Sequence, residues 1–221
     1  MMIAHPQMDS LIDLSIEKVN TLVIENPAFF RELLQDMNAQ IQGYTGKRVL
    51  SRDNEPVDFS RNAEIIDSFL SFEINRKPLI TKLIARMEAA AVSESYYLRT
   101  AKLMGELEQY VLELSFDLPC NVFCSKMGIG GVLRSAGLEI SNDYDNDLER
   151  LLDYMELTRE LDREKLFIIV NLRSYFTDAE VSAFLSTVIS HEYQVLLVDS
   201  ASREKLPNEL RVTVDNDLCE F

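Results

Sequence analysis

The stretch KLFIIVNLRSYFTDAEVSAFLSTVISHEYQVLLVD, residues 165–199, sets the fold class. Leu166-Phe167-Ile168-Ile169-Val170 is an unbroken apolar run of strand length, and a strand without polar alternation is one covered on both faces. Thr177-Asp178-Ala179-Glu180 follows as a capping box, with Thr177 as the cap and Glu180 reaching back to it. Val181, Phe184, Leu185, Val188 and Ile189 then recur at helical spacing, and Val195-Leu196-Leu197-Val198 makes a second buried strand. Strand, helix and strand in that order form a parallel crossover unit. The chain is therefore expected to contain an α/β layer built on a mostly parallel sheet.

Both ends of the chain feed that layer. Thr21-Leu22-Val23-Ile24 is a short β-branched run, and Asn26-Pro27 offers a helix cap followed by proline at the first helical position. Phe30, Leu33, Leu34, Met37 and Ile41 continue as one helical stripe, which Gly43 ends. Arg48–Ser51 and Pro56–Phe59 flank Asp53-Asn54 in a hairpin-like arrangement. Arg211-Val212-Thr213-Val214 is expected as an edge strand. Between these parts the pattern turns helical. Leu79, Ile80, Leu83, Ile84 and Met87 form one stripe. After a break at Val92-Ser93, Leu103, Leu107, Tyr110, Val111 and Leu114 form another, stopped by Asp117-Leu118-Pro119. A short helix over 127–136 ending at Gly137, an extended piece at Leu138–Ile140 and a helix over 145–160 complete the region. The expected organisation is an α/β head from 1–71 together with 161–221, and an inserted helical domain over 72–160.

At 221 residues the chain is long enough to bury roughly 70% of its unfolded surface without staples. Hydrophobic residues at 47% exclude a disordered chain. Three cysteines do not make a disulfide framework, so a cytoplasmic setting and buried free thiols are expected. No run of about 18 apolar residues points to a membrane span, and the first residues lack the basic start of a signal peptide. Lys and Arg number 22 against 37 Asp and Glu, a net charge of −15. Such a balance ordinarily argues against nucleic acid, but it is uneven. Residues 76–102 hold six basic and two acidic residues, whereas 103–164 hold five basic and fourteen acidic.

Most familiar chemistry is missing. A phosphate loop needs glycines whose N–H groups wrap phosphate and a lysine that meets the outer phosphates. After the first strand stands Glu25-Asn26-Pro27-Ala28 instead, and Gly46-Lys47 comes about 20 residues too late. Met127-Gly128-Ile129-Gly130-Gly131 only partly matches a dinucleotide motif and follows no strand, so it is read as a turn at a helix start. Cys120, Cys124 and Cys219 lack zinc-site spacing. His5, expected in a tail, and His191, expected at a helix end, supply little for histidine catalysis. Nothing marks a nucleophile elbow.

Two charged segments remain. Asn142-Asp143-Tyr144-Asp145-Asn146-Asp147-Leu148-Glu149 alternates oxygen-bearing side chains, which suits calcium, but Leu148 stands where a calcium-binding loop of the EF-hand type needs glycine. The reading preferred for these residues is a helix start, where Asp145 and Asp147 favour the N-terminal dipole. Arg76, Lys77, Lys82, Arg86, Arg99 and Lys102 form the basic segment. They either present a stripe to phosphates or make a solvated face paired with Glu88 and Glu94. The lack of interleaved aromatics and of a recognition helix argues against sequence-specific readout.

An ordered set of short motifs resembles one family. Leu22–Ile24, Asn75-Arg76-Lys77-Pro78-Leu79, Ser135–Leu138, Leu148-Glu149-Arg150-Leu151-Leu152, Lys165–Asn171, Tyr175-Phe176-Thr177 and Val195–Val198 occur in the order, and over the length, of the small adaptation protein of subtype II-A CRISPR systems. The resemblance implies a fold related to P-loop NTPases that lacks their phosphate loop. It implies a homotetrameric ring that threads double-stranded DNA from a free end, without sequence preference and without catalysis. It further implies a role in spacer acquisition for antiviral defence, alongside the CRISPR integrase proteins and the RNA-guided effector nuclease. A ring can be acidic outside and basic inside, which would reconcile the charge pattern. By charge and segment the channel candidates are Arg76, Lys77, Lys82, Arg86, Arg99 and Lys102, then Lys126 and Arg134. The resemblance also implies bound Ca2+, although Cys120–Ser125 has no carboxylate where relatives are acidic. Asp117, Glu139, Asp143 and Asp145 are the candidate ligands. A different class of function, an acidic protein-interaction scaffold with weak or no DNA binding, is supported by the negative total.

Overall fold

The computed structural model describes residues 1–6, 8, 10–14, 17–53, 55–124 and 127–221. In chain order the elements are β1 (Met2–Ala4), β2 (Ile12–Asp13), β3 (Val19–Ile24), α1 (Pro27–Ile41), β4 (Val49–Arg52), β5 (Glu55–Val57), α2 (Phe59–Asn62) and β6 (Ala63–Ile66). There follow α3 (Lys77–Ala91), α4 (Tyr97–Glu113), α5 (Ile129–Ser135), α6 (Asp147–Leu161), β7 (Leu166–Val170), α7 (Asp178–Ser190), β8 (Gln194–Asp199) and β9 (Glu209–Val214). The chain divides into two compact units. One comprises Met1–Phe72, Asp145–Arg159 and Arg163–Phe221; the other comprises Glu73–Tyr144 with Glu160–Asp162.

The first unit is an α/β head. Its main sheet has the order β6-β7-β8-β3-β9, and every neighbouring pair is parallel. The three inner strands are buried along their whole length, as unbroken apolar runs require. A smaller antiparallel sheet, β2-β1-β4-β5, carries the expected hairpin of β4 and β5. Asn54 of that hairpin's turn lies outside the described residues. Ile3, Leu22, Ile24, Phe29, Leu33, Met37, Leu50, Ile168 and Leu196 share one apolar core joining the two sheets and α1. The α7 capping box forms as read: Thr177 Oγ1 accepts from Glu180 N–H at 3.4 Å, and Glu180 Oε2 accepts from Thr177 N–H at 2.8 Å.

Helix α6 belongs to this head rather than to the inserted part, so the helical unit is shorter than the expected 72–160. The cause is its apolar face: Leu148, Leu151, Tyr154 and Met155 are buried, and Tyr154 meets Phe72 and Phe167 edge-on. His5 is not in a free tail. It is 6% exposed and packs beside the Phe29 ring at 5.8 Å. Burial and the nearby Arg48 guanidinium both lower its pKa. The cysteines are not buried either; Cys120 and Cys219 are exposed and Cys124 is half-buried. Leu138–Ile140 forms no strand, but Ile140 and Asn75 exchange two hydrogen bonds, of 2.7 and 2.9 Å.

Candidate nucleic-acid interface

The turn after β3 shows why no phosphate loop operates there. Pro27 has no N–H, and Asn26 Oδ1 accepts from both Ala28 and Phe29 N–H at 3.0 Å. Phe30 N–H bonds Asn26 O at 2.9 Å. The amides that would cradle a phosphate are already satisfied within the chain. The partial glycine motif at 128–131 has a different purpose. Gly130 starts α5 where that helix lies against α3, and a Cβ there would meet only the movable carboxylate of Glu88, at 2.3 Å.

Seven of the eight basic candidates fall on described residues of the helical unit; Lys126 lies outside them. The unit holds eight Lys and Arg against eleven Asp and Glu, whereas the head holds fourteen against twenty-six. The acidic excess is thus concentrated in the head. Lys82 and Arg86 share one face of α3, a turn apart. Lys77 precedes Lys82 by five residues, about 140° round the helix, so it does not extend their stripe. Lys82 is engaged by Asp162 of the same unit. Arg134 on α5 lies 3.9 Å from Glu88, and Lys102 lies 3.8 Å from Glu106. Arg76 stands at the N-cap of α3. Lys77, Arg86 and Arg99 are exposed and have no ion-pair partner among the described residues. Some cations of the segment thus form intramolecular pairs, and others face solvent.

The four candidate metal ligands are all exposed. Among the described residues, no three His, Cys, Asp or Glu side chains gather as a metal site would require. The acidic run at 142–149 serves as a helix start. Asn146 Oδ1 caps Leu148 N–H at 2.7 Å, and Asp147 pairs with Arg150 Nη2 at 2.6 Å. Among the described residues, the four candidates do not gather into a calcium centre within one chain.

One charged group in the head escaped the sequence reading. At the carboxyl ends of β7 and β8, Arg173 is buried and donates to Asp178 Oδ1 at 2.6 Å and to Glu204 O at 2.7 Å. Glu209 is buried and accepts from Arg211 Nη2 at 2.8 and 2.9 Å. Asp199, 6% exposed, is pushed up to about 6, first by burial and then by the Glu209 charge, against the opposing pull of Arg173, Arg203 and Arg211. The only sequence signal was a set of charged residues just beyond apolar strands. Arg173 and Glu204 are 31 residues apart, so their meeting depends on the folded sheet.

Among curated protein sequences none matches the chain. The solved structure described as "Crystal structure of Stu0660 of Streptococcus thermophilus" matches with a TM-score of 0.55 at 13% identity, covering 91% of this chain and 69% of that one. At that identity the likeness concerns the fold alone. Among the described residues, no helix is long and apolar enough to cross a membrane. A family model described as CRISPR-associated protein (Cas_Csn2) matches residues 40–218, which include the last helices and strands of the head and the whole helical unit. The chain therefore belongs to the CRISPR-associated Csn2 family.

Proposed function

We propose that this chain is a non-enzymatic component of CRISPR spacer acquisition that binds double-stranded DNA ends without sequence preference, as a homotetrameric ring. It would work alongside the integrase proteins and the RNA-guided effector nuclease. The observation that carries this reading is the basic segment of α3 and α4 on a unit of nearly balanced charge, with Lys77 and Arg86 exposed and without an ion-pair partner among the described residues. Exposed cations of this kind exchange counterions for phosphates and read no base. Family membership and the satisfied helix start after β3 support the same reading. Calcium is left out of it, because one chain gathers no ligand group among its described residues.

Fluorescence anisotropy of a linear duplex across a salt series tests the assignment. Lys77→Ala and Arg86→Ala together are expected to weaken binding about tenfold at low salt and to reduce the salt slope by about one per lost phosphate contact. An unchanged slope would remove these residues from the interface. No binding by the parent even at low salt would leave the acidic protein-interaction scaffold in front, a reading that the head's charge favours.

A further inference from the structure

Strands β8 and β9 run parallel with β3 between them, yet residues 200–208 join them without a helix. A parallel connection is ordinarily longer and carries one. This crossover passes over β3 as bare chain. Asp199 and Thr213 both lie level with Val23, Arg211 lies level with Thr21, and Glu209 with Val19. Strand alternation therefore sets Asp199, Thr21, Glu209, Arg211 and Thr213 on one face of the sheet. The opposite face, with Leu22, Ile24, Leu196 and Val198, joins the apolar core. The face beneath the crossover is polar, and Asp199, Thr21, Glu209 and Thr213 are nonetheless buried.

Two guanidinium groups hold the crossover down. Arg173 donates to Glu204 O at 2.7 Å, and Arg211 donates to Arg203 O and, at 3.4 Å, to Glu204 O. At its two ends, Ser200 N–H donates to Asn171 Oδ1 and Leu206 N–H to Glu209 Oε2, each at 2.8 Å. Each clamp has its own counter-charge, Asp178 for Arg173 and Glu209 for Arg211. Asp199 differs: among the described residues its carboxyl makes no hydrogen bond and no ion pair. Thr21 Oγ1, on the same face, is also buried without a partner among them. The charges facing Asp199 are Arg173 from beyond β7, Arg203 from the crossover, and Glu209 and Arg211 from β9. Burial outweighs all of these in raising its pKa to about 6. Lifting the crossover hydrates the carboxyl and returns it to the ordinary carboxylate range. The closed form thus holds the proton more tightly, and it loses its advantage as pH rises toward 6. We infer that the 200–208 crossover is a pH-sensitive latch, closed over protonated Asp199 and loosened when that carboxyl ionises. The inference stands apart from the DNA-binding reading.

Residue-resolved amide hydrogen exchange on the full chain tests it. Rates are expressed as protection relative to an unstructured chain, which removes the intrinsic pH dependence of exchange. Protection of Ser200 and Leu206 is expected to fall about twentyfold between pH 4.5 and pH 7.5. It is expected to stay at least about tenfold below that of Leu22 in β3, because only the crossover opens. Asp199→Asn is expected to remove the fall and to leave the crossover better protected than the parent at pH 7.5. Arg211→Gln, which removes a clamp and keeps Asp199, is expected to lower protection of Leu206 about tenfold at both pH values. Protection that does not change with pH, or a fall that persists in Asp199→Asn, would overturn the latch. Equal protection of Leu206 and Leu22 would also overturn it, since exchange would then require unfolding of the whole sheet.

Discussion

Strand β7 and helix α4 show two ways in which an apolar pattern can be used. All five residues of β7 are buried between β6 and β8, whereas α4, with an equally regular stripe, is open along its length. The head closes its core within one chain, through two sheets and the buried faces of α1, α6 and α7. The helical unit buries Leu79 alone along α3 and nothing along α4. A stripe predicts that a face will be covered, and it does not say by which chain. Charge follows the same division: the head carries most of the acidic excess, and the basic stretch lies on the two long helices of the helical unit.

The difference is sharpest for truncations of apolar side chains. Phe184→Ala in the head core is expected to cost about 3–5 kcal/mol in denaturant unfolding, since a fully buried ring leaves a cavity. Leu107→Ala, at an exposed position, is expected to change the unfolding of the dissociated chain by less than about 0.5 kcal/mol. Equal losses at the two sites would show that α4 is covered within its own chain.

A smaller effect comes from Asp199. Folded, it keeps its proton to about pH 6; unfolded, it loses it in the ordinary carboxylate range. Stability is therefore highest below that range, falls as pH rises and the unfolded chain releases its proton first, and levels off above about pH 6. Asp199→Asn is expected to unfold at higher temperature than the parent at pH 7–8, by about 2–3 kcal/mol, with the gap closing toward pH 4. A gap independent of pH would separate Asp199 from the charged cluster at the strand ends.

Smallest is Gly105, in mid α4, where a Cβ would meet nothing within 4 Å. Gly105→Ala is expected to stabilise the helix by about 0.5–1 kcal/mol, read as increased helix content and slower amide exchange in α4. No gain would mean that the helix is already held by a partner under the conditions used.

The inner strands and helices of the head were legible because their signals are local. Leu166–Val170, Val195–Val198, the Thr177–Glu180 box and the Asn26-Pro27 start each carry their own chemistry and appear where expected. Edge strand β6, Ala63–Ile66, was missed: it is four residues long and half its positions are only partly buried, so no strong pattern marks it. The strands β1 and β2 are shorter still; β1 gains its place by pairing with β4, some 47 residues on, and β2 by pairing with β1. The helical domain was expected to end at 160, whereas its main stretch ends at Tyr144, because a helical period cannot tell which unit a helix's apolar face will join. For the interface, charge located the segment, but pairing was not readable: Lys82 meets Asp162 across 80 positions, a contact that only the fold creates.

The most direct measurement compares the binding of linear and covalently closed duplex DNA of identical sequence across a salt series. A threading ring binds the linear form far more tightly and loses affinity steeply as salt rises. Equal binding of both forms would contradict threading and leave only a basic surface patch on the helical unit.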